Sequence, residues 1–136
     1  MLKSIKDILF TIILAVCLIL FIKAFILDFR VVASESMVPT LEKGDVILIS
    51  KLAYDIFGIN YKYPEPKEII TFEHNNELLI KRVKDVDSDG NFFVVGDNAD
   101  NSVDSREFGY VDHDELDGKA IIKFNFKTFS IAFLNE

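Results

Sequence analysis

The run Ile5–Leu27, IKDILFTIILAVCLILFIKAFIL, decides the architecture of this chain because it is almost free of charge. Between Ile8 and Ile22 no residue is charged, and only Thr11 breaks the apolar character. A helix of these 23 residues would be about 35 Å long, more than the roughly 30 Å hydrocarbon core of a bilayer. Lys23 lies near the far end, where its long stem can carry the ammonium to the interface. The run therefore predicts one transmembrane helix over about residues 5–27.

A secretory signal peptide is the alternative interpretation of the same segment. Lys3 and Lys6 precede the apolar core, and Val31-Val32-Ala33 has the small residues of a cleavage site. Against a cleaved leader, the apolar run is long, and three charged residues separate its core from the triplet. We therefore interpret the run as a retained anchor. The two N-terminal lysines favour a cytoplasmic N-terminus.

Charge divides the chain at the end of this run. The whole chain carries a net charge of −7, but residues 1–30 contain four basic and two acidic residues. The other 106 residues therefore contain 11 basic and 20 acidic ones, a net charge of −9. Such an acidic domain argues against a nucleic-acid partner, whose binding needs a basic face. We predict an anchor over residues 1–28 and a separate domain over residues 29–136, outside the cytoplasm.

The pattern after residue 30 predicts a mainly β fold, a small antiparallel domain, because short apolar runs alternate with turn signals. The expected strands are Arg30–Ala33, Val46–Ser50, Ile69–Phe72, Leu78–Val83, Phe92–Val95 and Ala120–Phe126. Asp89-Gly90 predicts a hairpin between two of them. The segment Lys51–Phe57 is open between a helical turn and a loop. The only cysteine, Cys17, lies in the anchor, so the domain has neither a disulfide nor a cysteine-based zinc site.

Two serines, Ser34 and Ser36, follow the first expected strand in Ser34–Leu41, SESMVPTL. Pro39 prevents a helix here and favours an extended Val38. A serine at the end of a strand can expose its hydroxyl, as a nucleophile must, and an ordinary polar loop explains the same residues. The sequence alone leaves both interpretations open.

Lys81 in the run Leu78–Val83 is the candidate base. A lysine that points inward from an apolar strand loses its charge readily, because burial disfavours the ammonium. A neutral lysine can take a proton from a serine hydroxyl. However, Lys81 and Arg82 point to opposite faces of a strand, and the pattern does not decide which of them points inward.

Two polar segments follow Lys81. Residues 96–109, GDNADNSVDSREFG, form a dense polar loop in which Asp104 and Arg106 are a plausible ion pair. The segment 85–90, DVDSDG, is similar to the start of a calcium loop. A calcium loop requires a bidentate glutamate at its twelfth position, where this chain has Gly96. We therefore interpret residues 85–90 as a turn.

The order of these motifs closely resembles bacterial type I signal peptidases. The shared elements are Ser-Met-x-Pro-Thr-Leu at 36–41, Gly-Asp at 44–45, Lys-Arg-Val at 81–83 and Gly-Asp-Asn-x-x-x-Ser-x-Asp-Ser-Arg-x-Phe-Gly at 96–109. The likeness covers nearly the whole chain, including the anchor. It implies a membrane-bound serine endopeptidase that removes signal peptides from exported precursors on the outer side of the cytoplasmic membrane. It also implies that no metal or organic cofactor takes part.

The resemblance assigns a role to each matching residue. Ser36 corresponds to the nucleophile and Lys81 to the general base. Ser34 corresponds to the serine that helps form the oxyanion hole together with the Ser36 N–H. Ser102 corresponds to the serine that orients the lysine. Asp104 and Arg106 correspond to the salt bridge that supports the site.

Substrate contacts follow from the same likeness. The substrate is expected to pair as an added strand beside residues 29–33, with contacts from Phe29, Val31 and Ala33. Small residues, commonly alanine, are implied at the substrate positions one and three before the cut. The lipid bilayer is the second expected partner: Met37, Phe57 and residues 129–133 are interpreted either as an apolar rim on the lipid or as ordinary core and strand residues.

One segment departs from the family pattern. After Lys-Arg-Val the family usually has Gly-x-Pro-Gly-Asp, whereas residues 84–90 of this chain read KDVDSDG. The hairpin after Lys81 is therefore built differently. Two rival functions remain: a peptidase dedicated to one substrate, and a membrane-tethered β domain that binds a partner or calcium without catalysis. A self-cleaving repressor would need a DNA-binding domain, which this sequence does not predict.

Overall fold

The computed structural model describes residues 4–134, in which one N-terminal helix leads into an antiparallel β domain. The helix α1 spans Ile5–Phe25, and its apolar side chains are exposed along its whole length. By length and composition it can cross a membrane. It ends two residues before the predicted Leu27 because Leu27 already pairs with Ser50 as the first residue of a strand.

Within residues 4–134, nine strands follow α1: β1 Leu27–Val31, β2 Val46–Ser50, β3 Asp55–Ile56, β4 Ile59–Asn60, β5 Ile69–His74, β6 Glu77–Val86, β7 Phe92–Val95, β8 Leu116–Asn125 and β9 Ser130–Phe133. Seven of them form one sheet in the order β1-β2-β8-β5-β6-β7, with β9 paired to β8. The other two, β3 and β4, form a separate hairpin. A four-residue helix, α2, spans Ser105–Phe108. The predicted mainly β fold with one N-terminal helix is confirmed.

Local differences from the expected strands have identifiable causes. The segment Lys51–Phe57 was expected to be either a helical turn or a loop. It contains a 3-10 turn at Lys51–Ala53, followed by the short strand β3. The last strand, β9, was not predicted; its four residues are all exposed, so they lack the inward-facing apolar positions that mark a half-buried strand. The predicted hairpin at Asp89-Gly90 joins β6 to β7. Gly90 has φ +88°, and a side chain there would collide with the ring of Tyr63.

Two apolar clusters hold the sheet together. One contains Val32, Met37, Leu41, Ile47, Ile49, Ile69, Ala120 and Leu134; the other contains Tyr54, Ile70, Phe72, Val83, Phe92, Val94 and Val111. The first cluster takes residues from the loop after β1 as well as from the sheet, so this loop is packed onto the domain rather than free in solvent. Ile80 of β6 packs against the same cluster. This packing brings the Ser34–Leu41 loop close to β6.

Candidate active site

The loop that carries Ser36 is held by buried side chains on one side and by backbone hydrogen bonds on the other. Met37 and Leu41 are 1% and 0% exposed in the core. The Ser36 carbonyl accepts a hydrogen bond from the Asn98 N–H at 2.9 Å. Met37 therefore belongs to the core, and its interpretation as part of a lipid-facing rim is wrong. The same burial holds the neighbouring Ser36 in one position.

Lys81 is the inward-facing member of the Lys81-Arg82 pair. It lies on β6 opposite Ile70 of β5, and only 4% of its surface is exposed. Its Nζ lies 2.7 Å from the Oγ of Ser36, which is equally buried. Burial lowers the pKa of Lys81, and the charge of Asp104 opposes this by raising it; the net direction is downward. The buried environment therefore favours a neutral amine beside the hydroxyl.

Ser34 stands on the outer side of Ser36. The two hydroxyl oxygens are 3.2 Å apart, and Ser34 is exposed where Ser36 is buried. Within residues 4–134 no acceptor is found for the Ser36 N–H. A hydroxyl and an amide N–H are thus both available beside Ser36, which is the chemistry of an oxyanion-binding site.

Asp104 is the buried hub of the 96–109 loop. It accepts hydrogen bonds from the Gly96 N–H at 2.8 Å, from Ser102 Oγ at 2.8 Å and from Arg106 Nη2 at 2.6 Å. Burial raises the pKa of Asp104, but the hydrogen bonds from Arg106, Gly96 and Ser102 outweigh it and hold the pKa below its ordinary value. The expected pair Asp104–Arg106 is present. Ser102 donates to Asp104, and among the described residues no hydrogen bond joins it to Lys81.

A second ion pair near Ser36 was missed at the sequence level. Arg82 donates from Nε and Nη2 to the two carboxylate oxygens of Asp97, both at 2.7 Å. Thr40 donates its hydroxyl to the same carboxylate. Burial raises the pKa of Asp97, but the hydrogen bonds from Arg82 and Thr40 lower it by more. The net shift of the pKa is downward, so the carboxylate stays ionised. These three residues tie together the loop of Ser36, the strand of Lys81 and the 96–109 loop.

Sequence signals for this cluster were present but ambiguous. Arg82 is adjacent to Lys81 on the same strand, so the two side chains point to opposite faces of the sheet. The sequence does not say which of them points inward. Asp97 belongs to a loop rich in acidic residues, which offers no means of choosing one partner. Only the folded arrangement selects Asp97 and Thr40, which lie 15 and 42 residues from Arg82 in the chain.

The expected substrate-contact residues lie at the edge of the sheet. Phe29 and Val31 are 60% and 64% exposed, and Ala33 is exposed as well. Within the described residues β1 pairs only with β2, so no other strand covers its outer edge, where the Phe29 N–H donates to the Asp28 carboxylate. Val32 between them is buried in the core. The first strand thus offers an open edge that leads directly to Ser34 and Ser36.

The segment that departs from the family pattern forms a compact turn. The Asp87 carboxylate accepts hydrogen bonds from the backbone N–H groups of Asp89 and Asn91. Asp85 instead accepts from the Tyr110 hydroxyl. Within residues 4–134 no group of three or more acidic, histidine or cysteine residues has the geometry of a metal site. The Asp87 carboxylate therefore closes the turn, and β6 still holds Lys81 beside Ser36.

Comparisons with known proteins show which family the chain belongs to. The profile of the family described as "Signal peptidase, peptidase S26" matches residues 5–88 and 84–125. The chain is 28% identical to Signal peptidase I of Bacillus caldolyticus, over 88% of this chain and 91% of the relative. It is 29% identical to Signal peptidase I of Leptolyngbya laminosa, over 84% of this chain and 76% of the relative. It is 24% identical to Inactive signal peptidase IA of Staphylococcus aureus strain N315, over 96% of this chain and 98% of the relative. The chain therefore belongs to the signal peptidase family, peptidase S26.

Proposed function

We propose that this chain is an active, membrane-bound serine endopeptidase that cleaves signal peptides from exported precursors through a Ser36/Lys81 dyad. The observation that carries the proposal is the 2.7 Å contact between Lys81 Nζ and Ser36 Oγ, with both residues 4% exposed. Family membership supports cleavage of signal peptides, but the family also includes a relative named as inactive. The dyad is the reason to expect activity here.

Acylation begins with neutral Lys81. Its Nζ takes the proton of Ser36 as Oγ attacks the scissile carbonyl, and the carbonyl oxygen becomes negative. The Ser34 hydroxyl and the Ser36 N–H stabilise that oxygen; removing one such donor costs about 2.7–4 kcal/mol of transition-state stabilisation in a comparable site. The Lys81 ammonium then gives its proton to the leaving amine, and the C–N bond breaks. The signal peptide remains as an ester on Ser36, while the mature protein leaves.

Deacylation uses the same base a second time. Lys81, again neutral, takes a proton from a water molecule as the water oxygen attacks the ester carbonyl. The C–O bond to Ser36 breaks, and the ammonium returns the proton to Oγ. The signal peptide leaves as a carboxylic acid. Each half-reaction needs the neutral amine at its start, so the lowered pKa of Lys81 favours activity nearer neutral pH.

The position of α1 supports a reaction at the membrane. We propose that residues 1–28 anchor the chain with a cytoplasmic N-terminus and that residues 29–136 form the peptidase domain on the outer side. Ser36 lies nine residues beyond Leu27, close to where a signal peptide leaves the bilayer. Phe57 and Phe129 are 68% and 90% exposed, and the rings of Phe57 and Phe25 are 6.0 Å apart at the end of α1. These exposed rings are proposed to contact lipid.

The test is cleavage of an exported precursor by the purified full-length chain in detergent or vesicles. Ser36→Ala and Lys81→Ala are expected to abolish cleavage, and Lys81→Arg to fail too because arginine stays protonated. Ser88→Ala and Lys84→Ala, exposed residues of the same types, are the matched controls and should retain activity. Cleavage by a folded Ser36→Ala variant would refute the assignment of Ser36 as the nucleophile. A rate that stays constant between about pH 6 and 9 would contradict a lysine base.

A further inference from the structure

A charged groove lies beside the turn that carries Ser36. It is open, holds about 460 Å³, and is lined by Glu35, Val38, Glu42, Lys43, Asn98 and Lys127. Its floor is the turn that carries Ser36, since the Val38 N–H donates to the Glu35 carbonyl. Asn98 forms a wall, because its backbone and side-chain N–H groups donate to the carbonyls of Ser36 and Glu35. The groove is therefore rigidly attached to Ser36.

The two approaches to Ser36 differ in chemistry. β1 leads to Ser34 with an outer edge that no described strand covers and with exposed apolar side chains at Phe29 and Val31. The groove beside the Ser36 turn is lined mainly by charged and amide groups. A peptide that lies across Ser36 must extend to both sides of it. If the apolar signal segment pairs with β1, as the proposed function has it, the polar segment after the cut falls in the groove.

Lys43 and Lys127 are the two basic side chains that line this groove. They come from two turns far apart in sequence, yet both line this groove and the smaller cavity beside it. Neither forms an ion pair with a carboxylate within residues 4–134, in a chain of net charge −7. Two neighbouring ammonium groups repel each other, and a carboxylate between them relieves that repulsion. Glu35 and Glu42 line the same groove, and Glu42 and Asp45 line the smaller cavity together with the two lysines, so these carboxylates oppose an acidic ligand.

We propose that this groove binds the first residues of the mature protein after the cleavage site, with Lys43 and Lys127 selecting an acidic residue among them. The inference rests on the proposed function, and it adds a specificity determinant on the mature side of the substrate. The ligand is an extended peptide segment, and its acidic side chain is the recognised group. Lys43 and Lys127 act on substrate choice and take no part in bond cleavage.

The experiment compares precursors that differ at one position. A single glutamate, or a single lysine, is moved through the first six residues after the cut, and kcat/KM is measured for the full-length chain at low salt. Each exposed ion pair contributes little, so we expect about a fivefold preference for glutamate over lysine at the best position. Raising the ionic strength should shrink this preference, since the groove is open to solvent.

Variants assign the preference to the two lysines. In Lys43→Met/Lys127→Met the preference should disappear, measured relative to the cleavage by the same variant of a precursor that is uncharged there. Lys62→Met/Lys84→Met removes the same total charge from exposed positions outside the groove and should keep the preference. Glu42→Gln should strengthen it by removing a repelling charge.

The outcomes separate this inference from the proposed function. Ser36-dependent cleavage with no preference at any position overturns the groove assignment and leaves the dyad standing. A preference that survives in the Lys43→Met/Lys127→Met variant, or that is equally lost in Lys62→Met/Lys84→Met, also overturns it. A wild-type chain that cleaves no precursor overturns the proposed function and the groove assignment together.

Discussion

Gly96→Ala is expected to damage catalysis by moving Ser36. A Cβ built on Gly96 would lie 2.2 Å from Ser102 Oγ, 2.5 Å from Ser102 Cβ and 2.6 Å from the Ser36 carbonyl oxygen. Real Cβ atoms essentially never approach closer than 3.0 Å, so Ser102 Oγ must move by at least about 0.8 Å and the Ser36 carbonyl by about 0.4 Å. Because that carbonyl belongs to Ser36, the proposed nucleophile, part of the shift is passed to the Ser36 hydroxyl.

The size of the effect follows from the geometry of the reaction. Misplacing a reacting group by about 1 Å can lower the rate about 100-fold, so a shift of several tenths of an ångström should lower kcat about 10- to 100-fold. Overpacking should also lower the free energy of unfolding by about 1–3 kcal/mol. The assay is single-turnover cleavage of a precursor, with thermal unfolding measured on the same sample to show that the variant is folded.

Gly118→Ala is the matched control. A Cβ on Gly118 would also collide, at 2.7 Å from both Ile49 Cγ2 and the Ser50 carbonyl oxygen, but it touches no residue of the proposed dyad. It should lower stability with kcat almost unchanged. In Gly96→Ala/Ser102→Gly the collision with Ser102 is removed and that with the Ser36 carbonyl remains, so rescue should be partial. A folded Gly96→Ala chain with wild-type kcat, or an equal loss of kcat in Gly118→Ala, would refute the reasoning.

Three further predictions concern the surroundings of Lys81. The charge of Asp104 raises the pKa of Lys81, and burial lowers it by more. Asp104→Asn should therefore lower the pKa of Lys81 further, so that kcat/KM begins to rise at a lower pH. A kcat/KM profile shifted to higher pH would contradict this prediction. Arg82→Lys loses the two-point contact with Asp97 and should lower the free energy of unfolding by about 1–3 kcal/mol in urea denaturation. An unchanged free energy of unfolding would show that this ion pair does not stabilise the fold. Ser102→Ala removes a donor to Asp104 rather than to Lys81, so kcat should fall less than about tenfold; a much larger fall would show that Ser102 contacts Lys81 during the reaction.

The motifs were readable without a structure because they are dense and local. The anchor is a single uncharged run, and the strands β2 and β7 occur at the predicted residues because their apolar residues are bounded by turn signals. The weakly patterned elements, β9 and the β3–β4 hairpin, escaped prediction. They carry little inward-facing apolar surface, so only pairing with a neighbour defines them as strands.

By itself, then, the sequence determined that this chain has one apolar helix followed by an acidic, mainly β domain, and which serines and lysine were worth considering. It could not decide whether Lys81 or Arg82 faces Ser36, because alternation along a strand specifies opposite faces without saying which is inward. It also could not select Asp97 as the partner of Arg82 or bring Lys43 beside Lys127. The loop after β1 packs onto the sheet and brings Ser36 to Lys81, whereas the β6–β7 hairpin brings Asp97 to Arg82. The pairing of β2 with β8 places Lys43 and Lys127 on the same groove.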